Sequence, residues 1–198
     1  MAVAGLIVAL LPLSIIALLI KKTSPGPLFF KQLRVGRHGR LFCCVKFRTM
    51  FPESERHGSV TIAGDRRITP IGRFLRKYKL DEIPQLWNVL IGNMSFVGPR
   101  PDVPGYADRL QGGDRRILEL YPGITGPATL KFRDEEAILA QAADPQRYND
   151  EIIFPEKVRL NLEYMNHWSL WKDMGYILLT VMPGLARKAG LRRKLGLN

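Results

Sequence analysis

The chain has 198 residues, with 30 Lys and Arg against 18 Asp and Glu and a formal net charge of +12. That length suits one compact domain with an appendage, and the charge calls for an anionic partner such as nucleic acid, acidic lipid or a phosphorylated substrate. The only two cysteines, Cys43 and Cys44, are adjacent and the three histidines are scattered, which excludes a disulfide framework and a C-x-x-C zinc site and fits a reducing compartment.

No charged residue occurs from Met1 to Ile20, whereas Lys21 to Arg48 carries eight basic residues and no acid. An apolar block followed at once by Lys21 and Lys22 reads as a membrane segment with a cytoplasmic C-terminal flank. The competing reading is a buried core helix. A signal peptide is disfavoured, since neither a basic start nor a small-residue cleavage site is evident. Twenty helical residues reach about 30 Å, barely the hydrocarbon thickness. Pro12 in the middle removes a backbone donor and bends the helix, so a hairpin entering and leaving by one face and a plain kinked span both fit.

After the turn signal at 23–27, the apolar runs Leu28–Leu33 and Leu41–Phe47 flank a Gly/His/Arg stretch and predict a β-hairpin. Residues 51–64 are polar and predict a surface loop. Thr69-Pro70 opens a helix, with Thr as cap and Pro in the first position. Ile71, Phe74, Leu75 and Tyr78 recur at helical spacing and predict one buried face, with Arg73, Arg76 and Lys77 on another. Pro84 starts a new helix, with Leu86, Val89 and Leu90 as its expected buried side and Gly92 as its end. Asp81 and Glu82 therefore lie at or just before a helix start, where ionised carboxylates are favoured and free N–H groups can meet a phosphate; Asp81 as a simple N-cap is the bland alternative. The Gly/Pro clusters GPRP (98–101) and YPGITGP (121–127) read as turns. Residues 155–185 read as one helix with an apolar face carrying Trp168, Trp171 and Tyr176. The tail 186–198 has five basic residues and no acid, which suits anionic lipid headgroups or a solvated tail.

An acidic pair at a helix start, many arginines and a nearby apolar anchor together suit chemistry on a diphosphate. A carboxylate is a nucleophile at neutral pH without an attendant base. The diphosphate's charge must be masked by magnesium and by arginine or lysine, and magnesium is commonly held by one or two carboxylates plus substrate phosphates. Composition alone does not choose this reaction over other phosphate chemistry.

The blocks SPGPLFFKQLRVGRHGRLF, VKFRTM, GDRRITPIGRFLRKYKLDEIPQLWNVLIGNMSFVGPRP and YPGITGP closely resemble the bacterial sugar transferase family, the small monotopic polyprenyl-phosphate phosphoglycosyl transferases. The resemblance runs from about residue 5 to residue 185. It implies an α+β, helix-rich fold: residues 1–22 as a re-entrant membrane helix broken near Pro12, and residues 23–198 as a catalytic domain with amphipathic interfacial helices on the cytoplasmic face of a bacterial inner membrane. It implies Asp81 as nucleophile on the sugar-bearing phosphorus of a UDP-sugar, with UMP expelled and polyprenyl (undecaprenyl) phosphate then taking the sugar phosphate. It implies Glu82, with Asp81, as a magnesium holder, Arg76 as the arginine meeting the carrier phosphate, and Arg100 and Arg133 at substrate phosphates. Lys46 matches a family lysine near the site. This sequence departs from the family pattern in having Leu11 where a serine usually precedes the helix-breaking proline, in the run PATLKFRDEE after PGITG, and in starting almost inside the apolar block, so that a short basic leading segment is expected to be missing.

The implied partners are a UDP-sugar, polyprenyl phosphate and anionic membrane lipids, with Mg2+ as cofactor and no nucleic acid; the donor sugar, the downstream glycan and the oligomeric state are open. Three other readings stand beside this one: a basic nucleic-acid-binding protein, which the apolar first 20 residues disfavour, a non-enzymatic membrane scaffold of polysaccharide assembly, and a hydrolase of nucleotide sugars. A Rossmann-type glycosyltransferase is disfavoured by the absence of G-x-G-x-x-G and by the short chain.

Overall fold

The structure is a computed structural model. It describes residues 2–52, 61–182, 184 and 195, with side chains from Leu13 onward. Helices and small sheets alternate along the chain in an α+β, helix-rich arrangement. The chain divides into two compact units: one holds the chain as far as Gln32 together with Cys43–Gly92, the other holds Leu33–Phe42 and the chain from Asn93 onward.

The first unit opens with helix α1, Ala2–Thr23, whose helical course runs through Pro12 without interruption. Among the described residues no helix is long and apolar enough to cross a membrane. The C-terminal half of α1 has two different apolar faces. Ile16 and Ile20 are buried against Phe47 and Leu75, while Ile15, Leu18 and Leu19 are exposed. The helix ends on a buried cation. Arg48 donates to the carbonyls of Pro25 at 2.7 Å and Ser24 at 2.8 Å, at the negative end of the helix dipole.

The predicted hairpin is present as β1, Phe29–Val35, paired with β2, Leu41–Phe47. Phe29 and Phe47 stack across it with centroids 5.6 Å apart. Of the expected loop at 51–64, residues 53–60 lie outside the described residues; beyond them, Met50 and Ile68 form an antiparallel bridge.

Helix α2, Pro70–Lys77, starts as its sequence requires. Thr69 caps it by accepting from the Gly72 N–H at 3.0 Å, with Pro70 in the first turn. Its expected buried face is only half buried. Leu75 is wholly enclosed and Ile71 packs beside it, but Phe74 and Tyr78 are 52% and 54% exposed and lie against each other at 4.9 Å. Two turns of helix seat two residues, one per turn, and the other two face outward.

Helix α3, Gln85–Leu90, inverts its expectation. Its buried residues are Gln85 and Asn88, whereas Trp87 and Leu90 are exposed and Leu86 and Val89 are only partly covered. The cause is a hydrogen-bonded clamp on β2. Asn88 accepts from the Val45 N–H at 3.1 Å and donates to the Cys43 carbonyl at 2.8 Å, which continues the strand's pairing through a side chain and turns the polar side inward. Gly92, at φ +80°, ends the segment as expected.

In the second unit, GPRP and PGITG are two halves of one feature rather than separate turns. Strand β3, Ser95–Val97, pairs in parallel with β4, Gly123–Thr125, in the register Ser95 to Gly123 and Val97 to Thr125. A Cβ on Gly98 would lie 2.3 Å from the Tyr121 carbonyl oxygen, and one on Gly123 would lie 2.2 Å from the Gly98 nitrogen. The backbones approach so closely that only glycine fits. The short helices α4 (Pro127–Lys131), α5 (Glu135–Leu139) and α6 (Pro145–Tyr148) follow. The single helix expected over 155–185 is two, α7 (Phe154–Asn166) and α8 (Leu170–Val181). They are separated by a stop at His167 and a fresh cap, in which Ser169 accepts from the Lys172 N–H at 3.3 Å. Tyr176 is buried with Val97, Tyr164 and Leu179 in one core cluster, while Trp168 and Trp171 are exposed. The basic tail lies outside the described residues apart from Leu195, whose carbonyl accepts from the Tyr176 hydroxyl at 3.0 Å.

Replacing Asn88 with Ala strands a β2 donor and acceptor and is expected to cost about 2 kcal/mol. Asn88→Asp is also expected to destabilise, because a carboxylate cannot donate to Cys43. Unfolding in urea or by heat, in detergent, measures both.

Candidate active site

Helix α2 is stopped by a residue that is not glycine. Lys79 adopts a left-handed backbone, φ 56°, and its N–H returns to the Arg76 carbonyl at 3.1 Å. The chain then makes a 3-10 turn over Leu80–Glu82 before Pro84 opens α3. Asp81 and Glu82 thus sit in a tight turn between two helices of the first unit, and both are buried, at 7% and 6% exposure. Asp81 caps neither helix, so the N-cap alternative is not what the structure shows.

The two acids are treated differently. Glu82 Oε1 takes the Lys46 ammonium at 3.2 Å, from the strand β2 that Asn88 also clamps. Asp81 Oδ1 is buried without a hydrogen-bond partner among the described residues. Burial first, and the Glu82 charge second, push the Asp81 carboxyl above the usual range, while Lys46, Arg76 and Lys79 pull the other way. Among the described residues three cations, Lys46, Arg76 and Lys79, act on Asp81, and one of its oxygens faces no donor. An ionised acid held this way is a poor structural element and a good nucleophile or cation ligand.

Of the residues predicted from sequence, Lys46, Arg76, Asp81 and Glu82 come together in this unit. Arg100 and Arg133 belong to the second unit, Arg100 in the loop after β3 and Arg133 after α4, each half-buried. The cavity that Arg100 lines is about 20 Å³, room for one water molecule and no sugar. Pro12 lies where side chains are outside the described residues. Sequence reading missed Lys79 and Thr49. Lys79 acts on Asp81 through its charge, and its position two residues before the acid was the available signal. Thr49 accepts from Arg76 Nε at 2.9 Å, and nothing in a Thr between Arg48 and Met50 announces that.

The whole chain to residue 187 matches the family model described as bacterial sugar transferase. The chain belongs to the bacterial sugar transferase family. It is 37% identical over 194 residues to a galactosyl transferase, CpsE, of Streptococcus agalactiae, covering 90% of this chain and 40% of that one. It is also 37% identical over 183 residues to the UDP-glucose:undecaprenyl-phosphate glucose-1-phosphate transferase of Escherichia coli, covering 88% and 36%. The sugar transferase EpsL of Bacillus subtilis is 37% identical over 156 residues, 79% of this chain and 69% of the relative. The chain therefore spans about two fifths of the first two relatives. The turn that carries Asp81 and Glu82, and the interlocked GPRP and PGITG segments, all lie inside the part matched to the family.

One carboxyl in the second unit also departs from its ordinary behaviour. Burial pushes Asp102, two residues beyond Arg100, from near 3.8 up to about 6, against the pull of Lys157, Arg34 and Arg100. The folded state then holds this proton more tightly than the unfolded chain does, so the stability tied to it is complete below pH 3.8 and is lost as pH rises through about 6. Asp102→Asn is expected to match the parent protein near pH 4 and to exceed it above pH 7, by up to about 3 kcal/mol. Thermal unfolding across pH 4–8 checks it, and a difference that shrinks with rising pH contradicts it.

Proposed function

We propose that this protein transfers a sugar 1-phosphate from a UDP-sugar to polyprenyl phosphate at the cytoplasmic face of a bacterial membrane, through a covalent phosphosugar on Asp81. The observation that carries this reading is the buried, unpartnered Asp81 oxygen among Lys46, Arg76 and Lys79. Support for the substrates comes from the relatives, several of which are named as undecaprenyl-phosphate sugar phosphotransferases.

The chemistry follows from the groups present. The Asp81 carboxylate attacks the phosphorus that bears the sugar. The new O–P bond forms as the bond from that phosphorus to the bridging oxygen breaks, and UMP leaves as an anion. A phosphate oxygen of the polyprenyl carrier then attacks the same phosphorus from solution in the lipid, the aspartyl bond breaks, and Asp81 is regenerated as a carboxylate. Neither half requires a proton relay, which suits a site whose neighbours are cations rather than bases. Lys46 holds Glu82 in place and, with Arg76 and Lys79, offsets the charge of the incoming diphosphate. Arg76 is the carrier-phosphate arginine in this reading, and Arg100 and Arg133 serve substrate phosphates.

Magnesium fits the donor set in one way. Among the described residues no three His, Cys, Asp or Glu side chains form a metal cage, but an orphaned Asp81 oxygen beside Glu82 suits an ion that arrives with a diphosphate and keeps most of its ligands there. Asp81 and Glu82 are the residues that would hold it, and when bound it would neutralise diphosphate charge.

Membrane attachment is supported by α1, on which Ile15, Leu18 and Leu19 are exposed, and by the exposed aromatics Phe74, Tyr78 and Trp87. A re-entrant course for α1, turning near Pro12, belongs to the same reading.

Asp81→Asn is expected to lower UMP release from a UDP-sugar in the presence of undecaprenyl phosphate by about a thousandfold or more. In the parent protein, quenching before carrier is added should place the mass of one sugar phosphate on the peptide containing Asp81. Continued product formation by Asp81→Asn, or a mass addition on another peptide alone, overturns the proposal.

A further inference from the structure

The turn that carries the two acids runs on as helix beyond them. Ile83 (φ −54°, ψ −38°) and Pro84 (φ −60°, ψ −17°) keep helical dihedrals, and the Leu86 and Trp87 N–H groups return to the Ile83 and Pro84 carbonyls at 3.0 Å. Residues three or four apart along such a course share a face. Glu82, Gln85 and Asn88 follow one another at intervals of three, with Asp81 four residues before Gln85, and all four are buried. One side of the segment is thus a polar stripe enclosed in the first unit, where an apolar stripe is the ordinary arrangement.

Both ends of that stripe are bonded to β2, Glu82 through Lys46 and Asn88 through the Val45 N–H and the Cys43 carbonyl. Gln85 lies between them, 2% exposed, and its amide has no hydrogen-bond partner among the described residues. Asp81 Oδ1 is in the same position. An amide buried without a partner destabilises a fold, and Met or Leu would fill the same room without that penalty. The two orphaned groups are complementary, a carboxylate that accepts and an amide that donates, yet they are not bonded to each other. A phosphoryl group satisfies both at once. Its phosphorus takes the carboxylate oxygen, and its non-bridging oxygens accept from the amide, which brings two N–H donors and no charge.

We propose that Gln85 is a further catalytic residue of the transfer reaction: its amide N–H donates to a non-bridging oxygen of the phosphoryl group that passes through Asp81. The inference rests on the function proposed above. The same phosphorus reacts when UMP leaves and when the carrier attacks, so a donor held at its oxygens stabilises both transition states. No bond to Gln85 is made or broken, and no proton leaves its nitrogen.

The experiment uses the full chain in detergent with undecaprenyl phosphate and whichever of UDP-glucose, UDP-galactose and UDP-N-acetylgalactosamine supports turnover. Gln85→Met keeps the length of the side chain and removes its donors. It is expected to lower kcat about a hundredfold, with the KM of donor and of carrier unchanged within about threefold. The burst of UMP released before carrier is added, and the discharge of the phosphosugar protein by carrier, should slow together. The thermal midpoint of Gln85→Met should equal or exceed that of the parent, whereas Asn88→Ala, which removes an amide bonded to β2, lowers it. Gln85→Leu should repeat Gln85→Met in both respects. A Gln85 that only supports the fold predicts the reverse, a midpoint lowered as in Asn88→Ala. That result, a kcat within about threefold of the parent, or the slowing of one half-reaction alone, overturns the inference. Asp81→Asn run alongside separates the two levels. Turnover surviving there overturns the proposed function and the role of Gln85 with it, while turnover lost there and kept in Gln85→Met overturns the role of Gln85 alone.

Discussion

The turn at the centre of the first unit is under one constraint: two adjacent carboxylates are withdrawn from water, while among the described residues only Glu82 has a cation at bonding distance. Adjacent ionised acids repel, and burial raises the cost of keeping either charged. The structure meets that cost asymmetrically. Glu82 is paired to Lys46, which leaves Asp81 to be held by field alone, from Lys46, Arg76 and Lys79. A fold selected for stability would give Asp81 a donor or replace it with an apolar residue. That Asp81 stays bare is what the proposed role as nucleophile rests on.

The local backbone exists to make that asymmetry rigid. The acids lie on three residues of 3-10 turn, an element too short to hold itself. It is fixed from both sides instead. On one side, α2 is capped by Thr69, seated on Thr49 through Gly72, and ended by the left-handed Lys79. On the other, α3 is tied to β2 by both ends of the Asn88 amide. Strand β2 is thus the common reference: it carries Lys46 and receives Asn88, and its continuation carries Arg48 and Thr49. Arg48 extends the same reference to the end of α1, through the carbonyls of Ser24 and Pro25.

How much of this the sequence disclosed depended on whether the relevant physics was local. The cap at Thr69, the proline starts and the hairpin strands were legible because turn chemistry and alternation act within a few residues. The acidic pair was legible through its place at a helix start among basic residues and through the family resemblance. The faces of α2 and α3 were misjudged for a shared reason. Periodicity assumes that apolar residues turn inward from water, and Phe74, Tyr78, Trp87 and Leu90 do not, while Gln85 and Asn88 do. Burial of Asn88 follows from a hydrogen-bond debt of β2, a long-range fact that no window of α3 contains. The same holds for GPRP and PGITG, read as separate turns because their glycines are turn formers. Their true need for glycine is mutual, between Gly98 and Gly123, with 24 residues of chain separating them. The division at His167 was hidden because Ser169 is a weak signal between two tryptophans read as one apolar face.

The inverted faces bear on the chemistry as well as on the fold. An exposed aromatic row costs little only where the surroundings are not simply water, and a boundary of headgroups accommodates ring bodies and indole or phenol groups together. Phe74 and Tyr78 lie on the helix that carries Arg76, and Trp87 follows Asp81 by less than two turns of chain. If these rings mark the level of the lipid boundary, the acidic turn sits at the same level, where a carrier whose phosphate is polar and whose tail is not can present the one without withdrawing the other. In the proposed reaction, the burial that makes Asp81 costly to ionise would also keep bulk water from competing with the carrier phosphate for the phosphosugar.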